Sequence, residues 1–368
     1  MRETEAVAEA RHYAEICNGC RYCEGFCAVF PALERRRDFA ASDMSYLANL
    51  CHNCMGCFYA CQYAPPHEFG VNVPRAFALV RAESYAQYAW PAPLARAFAR
   101  SGVVVSLATA FSIVLVLLLV TALQSPATLY AAHPMEPGAF YAVIPLWIMQ
   151  VVGIASFGFA LFALSKGAAA FWRDAGPRER PGIGAILRAL WDVLTLRNLG
   201  GGGDGCNDRD ERFSMTRRWL HHAMFYGFML CFAATSTGFV YHAVFGWHAP
   251  YALTSAPVLL GTVGGVLLLI GTVGLFSMKL TADPLPAARR LLGGDVALLL
   301  LLALSALSGL ALLALRSTGA MGIALAVHLG FILALFALMP FSKMVHGVYR
   351  SLALLRNAME RRMAALGE

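Results

Sequence analysis

"GVVVSLATAFSIVLVLLLVTAL", residues 102–123, runs for 22 positions without a charged side chain. A bilayer core is crossed by about 20 residues of helix. Backbone groups in lipid find partners only within the helix itself. The stretch therefore predicts a membrane span. Five further uncharged runs follow: Phe140 to Leu164, Leu220 to Phe245, Leu253 to Met278, Val296 to Leu315 and Met321 to Phe341. Composition agrees: the 368 residues are 58% hydrophobic and only 14% charged, where a soluble domain carries about 25%.

Lys and Arg lie on one side of these runs. Ten fall between Lys166 and Arg218; Lys279, Arg289 and Arg290 follow the fourth run, and Lys343, Arg350, Arg356, Arg361 and Arg362 close the chain. "QSPATLYAAHPMEPG" (124–138) and "GWHAPYA" (246–252) have none. The positive-inside rule then predicts a multi-pass membrane protein with both termini cytoplasmic. The net charge of +7 is thus a topology signal, and its spread along membrane edges argues against nucleic-acid binding. "MRETEAVAEARHYAEI" (1–16) lacks the apolar core of a secretory signal, which keeps the N-terminal region in the cytosol. Cytosolic thiols stay reduced, so cysteines there point to metal rather than disulfides.

Eight of the ten cysteines repeat one spacing, CxxCxxCxxxC: Cys17, Cys20, Cys23 and Cys27, then Cys51, Cys54, Cys57 and Cys61. In dicluster ferredoxins the first three cysteines of such a run hold one [4Fe–4S] cube and the fourth reaches the other. By that rule Cys17, Cys20, Cys23 and Cys61 hold one cluster, and Cys51, Cys54, Cys57 and Cys27 the second. The proline usual after the fourth cysteine is absent: Ala28 and Gln62 stand there. Zinc ordinarily takes two separated CxxC pairs instead. The expected organisation is a dicluster iron–sulfur domain over 1–98, spans one and two over 99–165, a basic cytoplasmic loop over 166–218, spans three to six over 219–346 and a tail helix over 347–368. The fold class is an all-α, six-helix membrane bundle behind a small ferredoxin-like domain.

Ionisable residues within spans are functional candidates. His221 and His222 begin the third span and His242 nears its end; His328 lies in the outer half of the sixth and His346 at its cytoplasmic end. Eighteen residues separate His328 from His346, roughly 27 Å on one helix face, and twenty separate His222 from His242, roughly 30 Å. With antiparallel spans, His222 lies level with His346 and His242 with His328, as one or two bis-histidine b haems require. On an ideal helix, however, His222 and His242 face about 160° apart and His221 and His242 about 60°. Either His221 is the ligand or the span bends at "TSTG" (235–238). Arg217, Arg218, Lys279 and Lys343 crowd the same ends and are candidates for haem propionates. His133 and His248 fall in outer loops, and His12, His52 and His67 are expected at the surface of the cluster domain. The Gly-rich "LGGGGDGC" (199–206) lacks the flanks of a phosphate loop and reads as a tight loop at the membrane surface. Cys206 reads as a plain loop thiol, and Cys231 as a small packing residue.

"HLGF" and "PFSKMVH" in and after the sixth span resemble the cytochrome b subunit of respiratory nitrate reductase. "NLCHNC…ACQYAPPHEF", "LTLRNLGGGGDGC" and "RRWLHHAMFYGFMLCFAATSTGF" extend a resemblance over nearly the whole chain to the tricarballylate utilisation protein B family, of CitB type. That resemblance implies a protein that reoxidises an FAD-dependent dehydrogenase through two [4Fe–4S] clusters and haem b and reduces the membrane quinone. Some relatives serve cobalamin synthesis. No nicotinamide or flavin fingerprint is present, so two-electron chemistry is expected on a partner. Electron flow from quinol to a cytosolic acceptor and a membrane anchor or redox sensor are the competing readings.

Overall fold

The computed structural model describes residues 1–98, 102–133, 136–177 and 179–366. Arg178, Pro134, Met135 and the expected domain boundary at residue 99 lie outside the described residues. Six helices are long and apolar enough to cross a membrane: Gly102–Leu123, Leu146–Ala175, Thr216–Phe245, Ala256–Leu280, Arg289–Leu315 and Met321–Leu338. The chain is nearly all helix, with no β-strand among the described residues. The all-α, six-span architecture expected from hydropathy is therefore the one observed.

Boundaries differ where local chemistry overrides hydropathy. A separate short helix, Ala139–Val143, ends before Pro145, so the second span begins at Leu146, and it continues past Lys166 to Ala175. The sixth span ends at Leu338. Pro340, which lacks an N–H, sits in the turn that follows, a 3-10 turn covers Lys343–Val345, and a new helix runs His346–Leu366. His328 and His346 are thus on separate helices, and the same-face argument from their 18-residue spacing does not hold. The third span is one continuous helix. Thr235, Ser236 and Thr237 bond back to carbonyls four residues earlier, and the helix is unbroken through "TSTG".

The third span packs chiefly on the fourth, and the fourth on the fifth; the fifth, sixth and first pack together, with the second against the sixth. Glycines let spans three and four meet backbone to backbone: a Cβ at Gly271 would lie 2.4 Å from the Met224 nitrogen, and one at Gly227 2.4 Å from that of Leu268. Close approach through small residues is a principal source of helix attraction in lipid.

The stretch expected as a basic loop contains a helix, Ile183–Leu194. Ile183, Leu187, Leu190, Trp191 and Leu194 form its exposed stripe, the pattern of a helix lying in a membrane interface.

The N-terminal domain is built from four main helices, Glu5–Cys20, Val29–Glu34, Ala41–Leu50 and Val73–Tyr88. Thr4 and Asn72 cap two of them by accepting the backbone N–H of Val7 and Arg75. Its core of Val7, Leu33, Met44, Leu47, Phe77 and Val80 continues into Phe171 of the second span and Tyr349, Ala353 and Leu354 of the C-terminal helix. Cysteine domain and bundle share one hydrophobic core.

Candidate functional site: two cysteine groups and a histidine pair

The eight motif cysteines line two cavities. Cys17, Cys20, Cys23 and Cys61 line the first, about 240 Å³. Cys27, Cys51, Cys54 and Cys57 line a narrower second one, about 20 Å³, whose walls must spread to take a group of cube size. Each run of four thus lends its last cysteine to the other set, the grouping the spacing rule expects.

Left-handed residues shape the loops: Arg21 (φ 56°) lies between Cys20 and Cys23, and Asn53 (59°) and Met55 (66°) flank Cys54. Backbone N–H groups of these turns and of neighbouring segments reach sulfur. Asn53 donates to Cys51 Sγ at 3.4 Å; Val29 and Phe30 donate to Cys27, Gly56 to Cys54, and Tyr63 and Ala64 to Cys61. Such donors tune thiolate-bound clusters.

Burial, and then the neighbouring cysteines, push the Cys17 and Cys23 thiols up to about 12, and Cys27 and Cys57 rise well above the ordinary value for the same reasons. Thiols so placed ionise when a metal takes their charge. Among the described residues no three His, Cys, Asp or Glu side chains close to the spacing of one ion. Four thiolates on zinc would stand about 3.8 Å apart, given bonds of about 2.3 Å. Two sets of four thiols are the donor chemistry that cysteine-held iron–sulfur groups take.

The Gly-rich segment closes over the second group. Leu199 and Cys206 pack on Cys54, Asn207 N–H donates to the Cys54 carbonyl at 2.8 Å, and Asn198 lines the cavity. Cys206 is fully buried, its Sγ 3.1 Å from the Leu199 carbonyl, and burial pushes its thiol up to about 12. The tight loop is therefore a lid on a cysteine group. Spacing alone offered no signal for that.

Of the histidines, the structure pairs His221, not His222, with His346: their ring centroids are 6.1 Å apart. His222 turns to the Thr195 carbonyl at 3.1 Å and stacks on Tyr226, because the unbent third span points it away. His346 Nδ1–H donates to the Lys343 carbonyl at 2.6 Å, which leaves Nε2 with its lone pair free. Burial, with Arg350 nearby, holds His346 well below its ordinary pKa and so neutral. His221 Nδ1 is buried without a hydrogen-bond partner. Two imidazoles sharing one iron through bonds of about 2 Å would have ring centroids roughly 6.3 Å apart, and this pair stands at 6.1 Å.

The far-side pair does not meet in that way. His242 contacts His248, Nδ1 to Nδ1 at 3.3 Å, and packs near Tyr141. His328 bonds Ser308 of the fifth span at 3.0 Å, in a space that Gly309 leaves open.

The four basic residues expected at haem propionates all have protein partners. Arg217 donates to the Asn53 carbonyl (2.6 Å) and Asp208 (3.2 Å), and Arg218 to the Thr195 carbonyl (2.8 Å). Lys279 and Lys343 both bond Asp295 Oδ2, at 2.5 and 2.6 Å. His12 is exposed and His67 half-buried, but His52, expected at the surface, is buried, its Nδ1 2.8 Å from the Leu50 carbonyl. Residues far along the chain enclose its loop.

Six apolar spans behind a cysteine-rich helical domain define a multi-pass membrane protein with a ferredoxin-like iron–sulfur module. Residues 10–87 match the family model described as citrate utilization protein B Fer4-like domain, and residues 96–367 that of citrate utilization protein B. The chain belongs to the citrate utilization protein B family. A curated relative of that name from Escherichia coli is 46% identical over 360 residues, 98% of this chain and 94% of the relative. No solved structure matches.

Proposed function

We propose that the protein is the membrane electron-transfer partner of a cytosolic FAD-dependent dehydrogenase and delivers its electrons to the quinone pool. The fold stands in a bacterial cytoplasmic membrane with both termini inside, an orientation supported by the Lys and Arg distribution. The observation that carries the reading is the His221–His346 pair, at 6.1 Å, on the side of the bundle that shares its core with the cysteine domain. When bound, two [4Fe–4S] clusters and one haem b supply one-electron carriage.

The chain's own residues do the rest. Cys17, Cys20, Cys23 and Cys61, and Cys27, Cys51, Cys54 and Cys57, hold thiolates in two groups. Backbone N–H donors steady their charge, and the 199–206 lid keeps water from Cys54. Lys343 orients His346 through its carbonyl. A reduced flavin gives up two electrons and a quinone takes up two, and groups held by these cysteines and histidines would let the electrons pass singly, with no substrate bound by this chain. The name of the Escherichia coli relative supports a partner that acts on citrate or a related tricarboxylic acid such as tricarballylate.

The test is an optical titration of the purified full chain. We expect about eight non-haem irons and one b-type haem per chain, haem reduction on adding reduced flavoprotein, and reoxidation by a quinone analogue. A haem that responds to neither partner refutes the reading.

A further inference from the structure

Beyond the two cysteine groups and the histidine pair lies the question of their order. Two arginines bear on it. Arg217 lies four residues before His221 on the third span, and Arg350 four residues after His346 on the C-terminal helix, and residues four apart share a helix face about one turn, or 6 Å, apart. Each histidine of the pair therefore has an arginine one turn from it, and both arginines grip the same loop. Arg217 donates to the carbonyl of Asn53 at 2.6 Å and lies 3.5 Å from that of His52. Arg350 donates to the carbonyl of Cys51 at 2.8 Å and to that of Asn49 at 3.3 Å. Buried Arg81 adds bonds to Ala48 and again to Cys51, at 2.9 and 2.7 Å. His52, in the same loop, is buried, its Nδ1 2.8 Å from the Leu50 carbonyl.

The first group is placed differently. Cys17, Cys20, Cys23 and Cys61 are all partly exposed, whereas in the other group Cys51 and Cys54 are buried and only Cys27 and Cys57 are partly exposed. Tyr22 beside them is 67% exposed, and Arg21 and Gln62 lie on the surface.

We infer that the Cys27–Cys51–Cys54–Cys57 group is the one that exchanges electrons with the membrane part, over the loop clamped by Arg217 and Arg350, and that the Cys17–Cys20–Cys23–Cys61 group is the port for the soluble donor. The inference rests on the electron-transfer reading above and gives it a direction through the molecule. One electron leaves the clamped group toward the histidine pair as one arrives from the port. Within the chain no bond forms or breaks and no proton moves; the flavin donor releases two electrons with its protons, and the quinone acceptor takes up two electrons and two protons. Two guanidiniums beside the clamped group also favour its added negative charge, so they hold its potential up.

The test uses the full-length chain in detergent with its clusters loaded. Cys20→Ser leaves the clamped group intact and Cys54→Ser the port. A water-soluble chromium(III) complex relaxes the electron spin of any reduced cluster near the aqueous surface. We expect relaxation at least tenfold stronger for the cluster retained in Cys54→Ser than for the one retained in Cys20→Ser. In the otherwise unaltered chain, Arg350→Gln and Arg217→Gln should each lower the potential of the chromium-insensitive cluster and leave the other unchanged, with iron content retained. They should also slow haem reduction by a photoreduced flavin at least tenfold.

If a single-cluster variant fails to assemble, chromium applied to the unaltered chain still sorts its two signals, and the arginine variants assign them. Stronger relaxation in Cys20→Ser, or arginine variants that shift the chromium-sensitive cluster or neither, overturns the order. A chain without haem defeats the haem assignment alone, since the chromium and potential measurements do not require it.

Discussion

Glu360 offers a quantitative check on how the cysteine domain is fastened to the membrane part. It accepts Arg36 Nη2 at 2.6 Å, Arg356 Nε at 2.8 Å and Tyr46 Oη at 3.3 Å. Asp43 bonds both arginines from the other side, at 2.9 and 3.0 Å, and both guanidiniums lie over the buried Tyr46 ring. The network joins the third N-terminal helix, and Arg36 in the segment before it, to the C-terminal helix that begins at His346. Side-chain exposure is 8% for Arg36 and 13% for Glu360, so solvent screening discounts these contacts little.

Removing one partner of a buried ion pair costs about 3–5 kcal/mol. Glu360→Gln keeps the shape and one acceptor, and Asp43 still faces both arginines, so the loss should be about 2–3 kcal/mol. At 1.4 kcal/mol per tenfold, local opening becomes roughly 30- to 150-fold more frequent. Amide hydrogen exchange on the loaded full-length chain reads this directly: protection across 346–360 and 41–50 should fall by that factor. Glu3→Gln, at the exposed pair with Arg11, is the control and should change it less than threefold. Protection in Glu360→Gln within threefold of the unaltered chain would refute the claim that this network holds the two parts together.

The histidine assignment separates neighbours: His221→Ala and His346→Ala should abolish b-type absorbance while His222→Ala keeps it, and loss in His222→Ala alone would restore the alternative ligand. At the contact of spans three and four, Gly271→Leu puts a Cβ 2.4 Å from the Met224 nitrogen and should cost at least about 1–3 kcal/mol of overpacking, seen as a lower heating midpoint in detergent. Gly261→Ala, 3.5 Å from Ala234, should be silent. Because Cys17 and Cys23 are raised to about 12, the iron-free fold keeps their contribution below about pH 9 and loses it as pH climbs toward 12. With thiolates on metal the sign reverses and stability is lost in acid. Urea titrations of both forms at about pH 8 and about pH 10.5 should diverge, and parallel slopes would count against the buried-thiol account.

The features readable from the sequence are those governed by local rules. Uncharged runs locate spans because lipid penalises a lone charge wherever it falls, and the two sets of four cysteines that line the cavities are those the CxxCxxCxxxC spacing groups together. The misses share one cause: partners distant in the chain. His52 lies in a polar, cysteine-rich segment and reads as exposed, yet arginines from residues 81, 217 and 350 gather round its loop. Lys279 and Lys343 read as candidates for haem propionates, and nothing local says that Asp295 bonds both.

His221 and His222 mark the limit most sharply. Helical phase already separated them by about 100°, enough to know that only one can face the sixth span's end. Which one depended on whether the span bends, and its unbroken backbone through "TSTG" decides for His221. The same reasoning fails for His328 and His346 because it assumed one helix where Pro340 ends one and His346 starts another. That break is useful in itself. A helix restarted at His346 presents its first-turn imidazole beside the third span and carries Arg350 one turn on, over the Cys51 carbonyl. An uninterrupted sixth span would have no such freedom to turn that pair toward the cysteine domain.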